Sequence, residues 1–157
     1  MRIGIGVDAH RFVKNRPLIL GGVLVEYDLG LAGHSDADVL CHAVADSLLG
    51  AAGLGDLGCH FPDSDPSLAG ISSLLILRRV VELLKERNLV VESVDSTVIC
   101  QAPKIAPYRS LMVRGIAEVL RVNSGRVNVK GTTTEGMGFE GRGEGIAAWA
   151  VSLLTEP

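Results

Sequence analysis

Apolar residues alternate with glycines near the beginning of the chain, over residues 3–7, and Asp8 and His10 continue the polar positions of the pattern. A period of two is typical of a β-strand that buries one face. The pattern therefore predicts a strand from which Asp8 and His10 project on the same side. The glycines lie on that side as well and leave space beside the two side chains.

Three later segments repeat apolar residues at the spacing of amphipathic helices. They run from about Ala37 to Leu49, from Ser72 or Ser73 to about Asn88, and from about Tyr108 to Leu120. Ser35 or Asp36 is the expected N-cap of the first helix. Leu111 is expected among the apolar positions of the third.

Four further segments predict strands, and the longest of them, residues 89–100, is rich in β-branched residues. They are residues 17–20, 23–25, 89–100 and 127–129. Residues 146–154 are apolar throughout, a pattern that does not distinguish a strand from a helix. Glycines and prolines over residues 50–66 predict a loop. The mixture predicts one α/β or α+β domain over residues 1–157.

The charge of the chain argues against a nucleic-acid partner. Its 157 residues carry a net charge of −3 and only six aromatic side chains, whereas a nucleic-acid-binding protein needs a surplus of lysine and arginine. No stretch reaches the roughly 20 apolar residues of a membrane helix. The three cysteines follow no disulfide or zinc-finger spacing, so we expect a cytoplasmic protein with reduced thiols. A mean hydropathy of +0.33 favours an oligomer.

Asp8 and His10 are candidate metal ligands, because two side chains that point the same way from a strand can converge on one ion. His42 in the first predicted helix is the leading candidate for a third ligand. Asp38 and Asp46 lie one turn to either side of it, where a carboxylate could orient the imidazole. On spacing alone, the end of a strand and an ordinary helical histidine remain the alternative.

Other segments combine groups that favour phosphate. His34 and Ser35 precede a predicted helix, where backbone N–H groups attract anions. Lys104 follows a predicted strand, and Thr132 to Thr134 offer hydroxyls beside Glu135, a possible ligand of a hard cation. Each segment taken alone is equally explained as a capping loop, a solvated lysine or the end of a strand.

Read in order, these segments resemble the 2-C-methyl-D-erythritol 2,4-cyclodiphosphate synthase family of the non-mevalonate isoprenoid pathway. The resemblance covers essentially the whole chain. The matching motifs are Gly6–His10, Gly33–His42, Gly50–Gly58, Phe61–Pro66, Gln101–Lys104, Val127–Lys130, Thr132–Glu135 and Gly138–Ala147. Each motif alone is ambiguous, and their joint order carries the resemblance.

The resemblance implies a metal-dependent intramolecular phosphoryl transfer. The 2-phosphate of 4-diphosphocytidyl-2-C-methyl-D-erythritol 2-phosphate attacks the β-phosphorus, closes a cyclic diphosphate and releases CMP. It assigns Zn²⁺ to Asp8, His10 and His42, and a second divalent cation, Mg²⁺ or Mn²⁺, to Glu135. His34 and Thr133 correspond to the contacts that stabilise the transition state.

The resemblance also assigns the substrate contacts. Those to the methylerythritol phosphate and phosphate groups are Asp8, His10, His34, Ser35, Asp56, Gly58, Phe61, Asp63, Asp65, Phe139 and Arg142. Those to the cytidine nucleotide are Cys100, Pro103, Lys104, Ile105, Ala106, Gly131, Thr132 and Thr133. Gly131 and Gly136 depart from the common family pattern, which has alanine and a long side chain there. Because Gly131 borders the nucleotide pocket, the departure bears on nucleotide affinity.

The implied architecture is an α+β fold, with a mixed four-stranded sheet and helices on one face. The family assembles as a homotrimer with its sheets around a central threefold axis and its active sites between subunits. Phe139, Arg142 and Glu144 are expected to line a central cavity that can hold an isoprenoid diphosphate, with Arg142 and Glu144 paired across the symmetric interface. Two alternatives remain: a non-catalytic protein that binds a cytidine nucleotide or an isoprenoid diphosphate, and a zinc-dependent nucleotidase.

Overall fold

A mixed β-sheet forms the centre of the fold. The strands of the computed structural model, which describes residues 1–157, are β1 (Arg2–Val13), β2 (Leu18–Leu20), β3 (Val23–Val25), β4 (Gly30–Leu31), β5 (Val90–Ile99), β6 (Val127–Thr132) and β7 (Gly145–Thr155). The sheet order is β4-β1-β7-β5-β6, and β2 pairs with β3 in a separate hairpin. All neighbours in the sheet are antiparallel except β5 and β6.

Helices cover one face of this sheet. They are α1 (Val39–Ala52), α2 (Leu57–His60), α3 (Ser73–Glu86), α4 (Arg109–Leu120) and α5 (Gly138–Gly141), and two 3-10 turns occupy Pro66–Leu68 and Ser124–Arg126. The long helix α1 packs on β1 and β7, α3 packs beside α1, and α4 lies against β6. None of these helices has both the length and the apolar character needed to span a membrane.

The α+β class and the three long helices are confirmed, whereas the predicted number of strands was wrong. The sheet has five strands because β4, only two residues long, pairs with Phe12 and Val13 at the end of β1. A pair of residues is too short to show any period. Residues 146–154 belong to strand β7, and the segment 50–66 is not all loop, since it contains the end of α1 and all of α2.

Two local predictions were also wrong. The N-cap of α1 is Asp38, whose carboxylate accepts a hydrogen bond from the backbone N–H of Cys41, and neither Ser35 nor Asp36 caps this helix. Leu111 is 48% exposed, because α4 turns Met112 and Ile116 toward the core. A residue next to a buried one on a helix is rotated away by about 100°, which places Leu111 at the surface.

The close approach of α1 to β1 depends on glycine. A Cβ atom at Gly6 would lie 2.1 Å from the carbonyl oxygen of Ala43, and one at Gly4 would lie 2.1 Å from that of Ser47. No side chain fits at either position, so the backbone of the helix rests directly on the strand. In α1, twelve of the fourteen residues are buried.

The other face of the sheet carries no helix. Ile3, Ile5 and Val7 of β1 point outward on this face, and Trp149 and Val151 lie beside them on β7. All five side chains are between 41% and 72% exposed. We call these five residues the bare apolar face. Contiguous exposed apolar surfaces are typical of protein–protein interfaces.

We expect Gly6→Ala to destabilise the fold strongly, because the new methyl group overlaps the Ala43 carbonyl of α1. The free energy of unfolding should fall by about 3 kcal/mol or more, as in severe overpacking. Gly50→Ala is the matched control, since its Cβ would find its nearest neighbour at 3.7 Å. It should raise the stability by up to about 1 kcal/mol through helix propensity. Equal effects of the two substitutions in urea unfolding would contradict the proposed role of Gly6.

Candidate functional site

Three side chains predicted as metal ligands meet in one cluster. Asp8 and His10 project from the helix-covered side of β1, as predicted, and His42 reaches them from α1. Oδ2 of Asp8 lies 2.9 Å from Nε2 of His10 and 3.0 Å from Nδ1 of His42. The two imidazole nitrogens are 3.3 Å apart. The three donor atoms therefore converge on one point at the edge of the sheet.

The cluster fits a tetrahedral metal ion. Zinc binds imidazole nitrogen and carboxylate oxygen at about 2.0–2.1 Å, so neighbouring ligand atoms of a regular tetrahedron are about 3.3 Å apart. The observed separations of 2.9, 3.0 and 3.3 Å approach that value. One carboxylate and two imidazoles form a donor set typical of zinc, and three protein ligands leave a fourth position for substrate.

The side chains of the cluster change one another's pKa values. Burial opposes ionisation of Asp8, but hydrogen bonds with His10 and His42 outweigh it and hold the pKa of Asp8 well below its usual range. Burial likewise opposes protonation of His10, but the carboxylate of Asp8 raises its pKa overall. Nδ1 of His10 donates a hydrogen bond of 2.6 Å to the Ala32 carbonyl, which leaves Nε2 as the nitrogen that faces the cluster.

His42 is oriented by serines rather than by the predicted carboxylates. Its Nε2 lies 2.9 Å from Oγ of Ser73 and 3.1 Å from Oγ of Ser35. Asp38 accepts backbone hydrogen bonds at the start of α1 instead, and Asp46 accepts one from the N–H of Leu57. Helical side chains lean toward the N-terminus, so the ring of His42 extends away from Asp46. The expectation for both aspartates was therefore wrong.

The loop that carries His34 and Ser35 is held at both ends by Arg16. The Arg16 guanidinium donates to the carbonyl of Gly33 and to that of Ser35, both at 2.7 Å. Nε2 of His34 donates to the backbone carbonyl of Asp65 at 2.9 Å. The loop is therefore fixed relative to the turn between β1 and β2, which carries Arg16, and to the Phe61–Asp65 segment. Arg16 was not singled out from the sequence.

A cavity of about 250 Å³ opens beside the metal cluster. Many of the predicted substrate contacts line it, together with the predicted metal ligand His42 and apolar side chains. They are Asp8, His10, His34, Ser35, His42, Gly58, Phe61 and Asp63, with Leu57, Leu68, Ile71 and Ile76. Asp56 and Asp65 border the same segment as caps: Asp56 accepts from the N–H of Cys59, and Asp65 from that of Ser67. We call this the metal pocket.

The predicted nucleotide contacts form a separate cavity of about 410 Å³. It is lined by all eight of them, Cys100, Pro103, Lys104, Ile105, Ala106, Gly131, Thr132 and Thr133, together with Gln101, Arg109 and Lys130. Burial raises the pKa of the Cys100 thiol to about 11, so this group is neutral at physiological pH. We call this cavity the loop pocket. Lys130 is ion-paired with Asp95, and the other two cationic side chains, Lys104 and Arg109, suit an anionic ligand.

Gly131 lies at the wall of the loop pocket. A Cβ at this position would lie 3.0 Å from Cβ of Ile105. Glycine therefore allows Ile105 to lie closer to β6 than an alanine would. Because both residues line the loop pocket, this departure from the family pattern changes the shape of the pocket. Gly136 has φ of +80° and no atom near its Cβ position, so its backbone conformation rather than space favours glycine there.

Thr133 and Glu135 are arranged beside the loop pocket by a tight local turn. Oγ1 of Thr133 donates to Oε1 of Glu135 at 3.2 Å, and the N–H of Glu135 donates back to Oγ1 at 3.3 Å. The hydroxyl of Thr134 donates a hydrogen bond to the carbonyl of Met137 instead. Of the three threonines, only Thr132 and Thr133 line the pocket. A threonine hydroxyl and an exposed carboxylate are therefore presented together.

The metal pocket lies beside β1 and the loop pocket beside β6, so the two pockets lie toward opposite edges of the sheet. Ala9 pairs with Ala147, Ala147 with Ile99, and Ile99 with Thr132, which forms one row across four strands. Three strand spacings of about 4.8 Å separate the ends of this row by about 14 Å. Within one chain, the backbone beside the metal cluster and the backbone beside the loop pocket are therefore separated by the width of three strand spacings.

Phe139 and Glu144 line a third recess of about 710 Å³, near the end of β1. Arg11, Phe12 and Leu29 complete most of its wall. Arg142 does not line it and forms an ion pair with Glu144 of its own chain, with Nε of Arg142 2.6 Å from Oε1 of Glu144. The pairing expected between subunits is thus formed within the chain.

Comparison with known proteins identifies the family. The model of the YgbB family matches residues 1–155. The chain belongs to the YgbB family. The 2-C-methyl-D-erythritol 2,4-cyclodiphosphate synthase of Thiobacillus denitrificans is 60% identical over 154 residues, which are 98% of this chain and 96% of that protein. The match to this family confirms the resemblance seen in the order of the motifs.

Solved structures agree with the YgbB-family fold. The bifunctional IspDF from Campylobacter jejuni is 40% identical with a TM-score of 0.96, and the match covers 99% of this chain and 42% of that chain. A 2C-methyl-D-erythritol-2,4-cyclodiphosphate synthase in its CDP-bound form is 36% identical with a TM-score of 0.90, covering 98% of this chain and all of that one. The similarity thus extends over the whole domain.

We expect His42→Ala to lose zinc while the YgbB domain still folds. Removal of one of three ligands weakens the metal site severely, whereas alanine is well tolerated in a helix. After the variant has been loaded with zinc and the free zinc has been removed by dialysis, metal analysis should find almost no zinc per chain. His60→Ala is the control, because His60 hydrogen-bonds the Leu54 carbonyl outside the cluster. Zinc at wild-type occupancy in the His42 variant would rule out this ligand set.

Proposed function

We propose that this chain is a cyclodiphosphate synthase that converts 4-diphosphocytidyl-2-C-methyl-D-erythritol 2-phosphate into 2-C-methyl-D-erythritol 2,4-cyclodiphosphate and CMP. The observation that carries the proposal is the convergence of Asp8, His10 and His42 at the mouth of a cavity that also presents His34 and Ser35. The names of the relatives at 53–60% identity support it.

The proposed reaction moves no proton and consumes no water. An oxygen of the 2-phosphate forms a bond to the β-phosphorus, and the bond from that phosphorus to the bridging oxygen breaks. The electron pair leaves with CMP, whose phosphate is stable as an anion. Because the nucleophile is already an anion, the chain needs no general base, and its task is to position three phosphates and offset their charge.

Two divalent cations belong to the proposal. Asp8, His10 and His42 would hold Zn²⁺, and Glu135 would contribute to a site for Mg²⁺ or Mn²⁺. Bound cations of this kind withdraw charge from phosphate oxygens and stabilise the transition state of phosphoryl transfer. His34 lines the metal pocket and Thr133 lines the loop pocket, which supports their assignment as contacts to phosphate groups in the transition state.

The two pockets complement the two ends of this substrate. The metal pocket combines Phe61, Leu57 and Ile76 with the carboxylate of Asp63, a lining suited to a branched carbon chain with hydroxyl groups. The loop pocket offers Lys104 and Arg109 to a nucleotide phosphate, with a loop whose backbone can recognise a base. We propose that the metal pocket binds the methylerythritol phosphate and that the loop pocket binds the cytidine monophosphate.

We propose further that the active enzyme is a homotrimer with its sites between subunits. The bare apolar face supports association, since Ile3, Ile5 and Trp149 would otherwise remain in water. The separation of about 14 Å between the two halves of the site supports a shared site, because Thr133 and the zinc ligands must contact the same diphosphate. The recess beside Phe139 would then face the threefold axis, where an isoprenoid diphosphate is the proposed occupant. A cytoplasmic location completes the proposal.

Product analysis tests the reaction itself. Purified protein with Zn²⁺, Mg²⁺ and the diphosphocytidyl substrate should yield equal amounts of CMP and a cyclic diphosphate, distinguished by phosphorus NMR. CMP with methylerythritol 2,4-bisphosphate, which carries two separate monophosphates, would instead identify a zinc-dependent nucleotidase that transfers the phosphate to water. Tight binding of substrate without any product would identify a non-catalytic binding protein. Either result would overturn the synthase assignment.

We predict that two inactive variants restore activity when they assemble together. His42→Ala damages the zinc half of a site and Thr133→Val the phosphate contact of the other half, so each variant alone should be nearly inactive. When equal amounts of the two variants are refolded together and assemble at random, about a quarter of the interfaces combine two intact halves, so about a quarter of the wild-type activity should return.

The control mixes His42→Ala with Asp8→Asn. Both changes damage the zinc half, so no interface is complete and no activity should return. The test requires mixed trimers verified by native mass spectrometry. If trimers of His42→Ala and Thr133→Val remain as inactive as their parents, each site lies within one chain and the shared-site proposal fails.

A further inference from the structure

The ring of His42 contacts polar groups on both of its sides. Nδ1 faces the carboxylate of Asp8, and Nε2 faces the hydroxyls of Ser73 and Ser35. His42 and both serines are buried, with exposures of 9%, 1% and 7%. The hydrogen bonds on the Nε2 side therefore form out of contact with bulk water, where their geometry matters most.

Ser73 is itself held by a carboxylate. Its hydroxyl donates a very short hydrogen bond to Oδ1 of Asp36, and its backbone N–H donates to Oδ2 of the same group at 2.9 Å. An ionised carboxylate only accepts hydrogen bonds, and a serine hydroxyl has one hydrogen to donate. The hydrogen of Ser73 is therefore committed to Asp36.

This commitment determines which nitrogen of His42 carries hydrogen. Since Ser73 has no hydrogen left to donate, its oxygen can only accept from Nε2 of His42. Nε2 must then carry the hydrogen, and Nδ1 keeps its lone pair directed at Asp8 and His10. In a neutral imidazole the two nitrogens always have opposite roles.

We propose that Asp36 and Ser73 act together as positioning residues that fix the tautomer and the ring orientation of His42 for metal binding through Nδ1. Neither residue touches substrate or metal; both act through His42. The inference rests on the proposed zinc site. Hydrogen bonds from a second layer of residues commonly change metal affinity 10- to 100-fold.

Ser35 has a different part in the same arrangement. Its oxygen accepts from the N–H of Ala37 at 3.1 Å and also lies near Nε2 of His42. Its own hydrogen is therefore free to point into the metal pocket that Ser35 lines. Ser35 can donate to a phosphate, whereas Ser73 cannot, and this difference separates a substrate contact from a positioning residue.

Zinc affinity is the direct test of the proposal. For Ser73→Ala we expect the zinc dissociation constant, measured by competition with a chromophoric chelator, to rise 10- to 100-fold. Ser47→Ala is the matched control, because Ser47 is an equally buried serine that hydrogen-bonds Ser152 and the Val44 carbonyl, away from His42. It should lose stability but keep the wild-type zinc affinity. Ser73→Thr, which keeps the hydroxyl, should retain most of the affinity.

A second measurement separates positioning from general destabilisation. Nitrogen-15 NMR of histidine-labelled, zinc-loaded wild-type protein should assign the metal to Nδ1 of His42 and the hydrogen to Nε2. Metal on Nε2 would overturn the proposal, and so would a folded Ser73→Ala variant whose zinc affinity lies within twofold of the wild type. If Ser73→Ala does not fold, Asp36→Asn is decisive in its place, with the same expected weakening. Failure of the wild type to bind zinc would instead overturn the metal site itself.

Discussion

The contact between the backbones of α1 and β1 is the constraint on which the rest of the structure depends. Gly4 and Gly6 remove every side-chain atom between the helix and the strand, so Ala43 and Ser47 lie directly on β1. His42 precedes Ala43, and Asp8 follows Gly6 by two residues on the same face. The contact that packs the core therefore also brings the third donor to the first two.

The same arrangement has an electrostatic cost. Three donor atoms within 3.3 Å of one another repel unless a cation or a proton lies between them, and the pKa values of Asp8 and His10 respond to this proximity in opposite directions. The backbone carbonyl of Ala32 and the hydroxyl of Ser73 hold the two imidazoles in place on their far sides. The fold thus prepares the geometry of the site before any ion arrives, which lowers the entropy lost on binding.

Residues close in sequence or joined by a simple period were predictable. Alternation along β1 placed Asp8 and His10 on one face, and helical spacing placed His42 on α1. Arg16 and Ser73 were not found, because their partners lie 17 to 31 residues away and hydrogen-bond through backbone carbonyls or a single hydroxyl. Residues 146–154 were ambiguous for a physical reason: β7 is apolar on the core side and again at Trp149 and Val151 on the bare apolar face, which conceals its period.

The pairing of β1 with β7 also determines when the metal cluster can form. Asp8 pairs with Ala148, about 140 residues further along the chain, and ten residue pairs join these two strands. The other neighbour of β1 is the two-residue strand β4. During synthesis, the strand that carries two of the three donors therefore gains α1 as a packing partner early, but it gains a long neighbouring strand only after almost the whole domain has been made. Such long-range pairing slows folding. The sheet pairing of the strand that carries Asp8 and His10 is therefore among the last parts of the fold that can form.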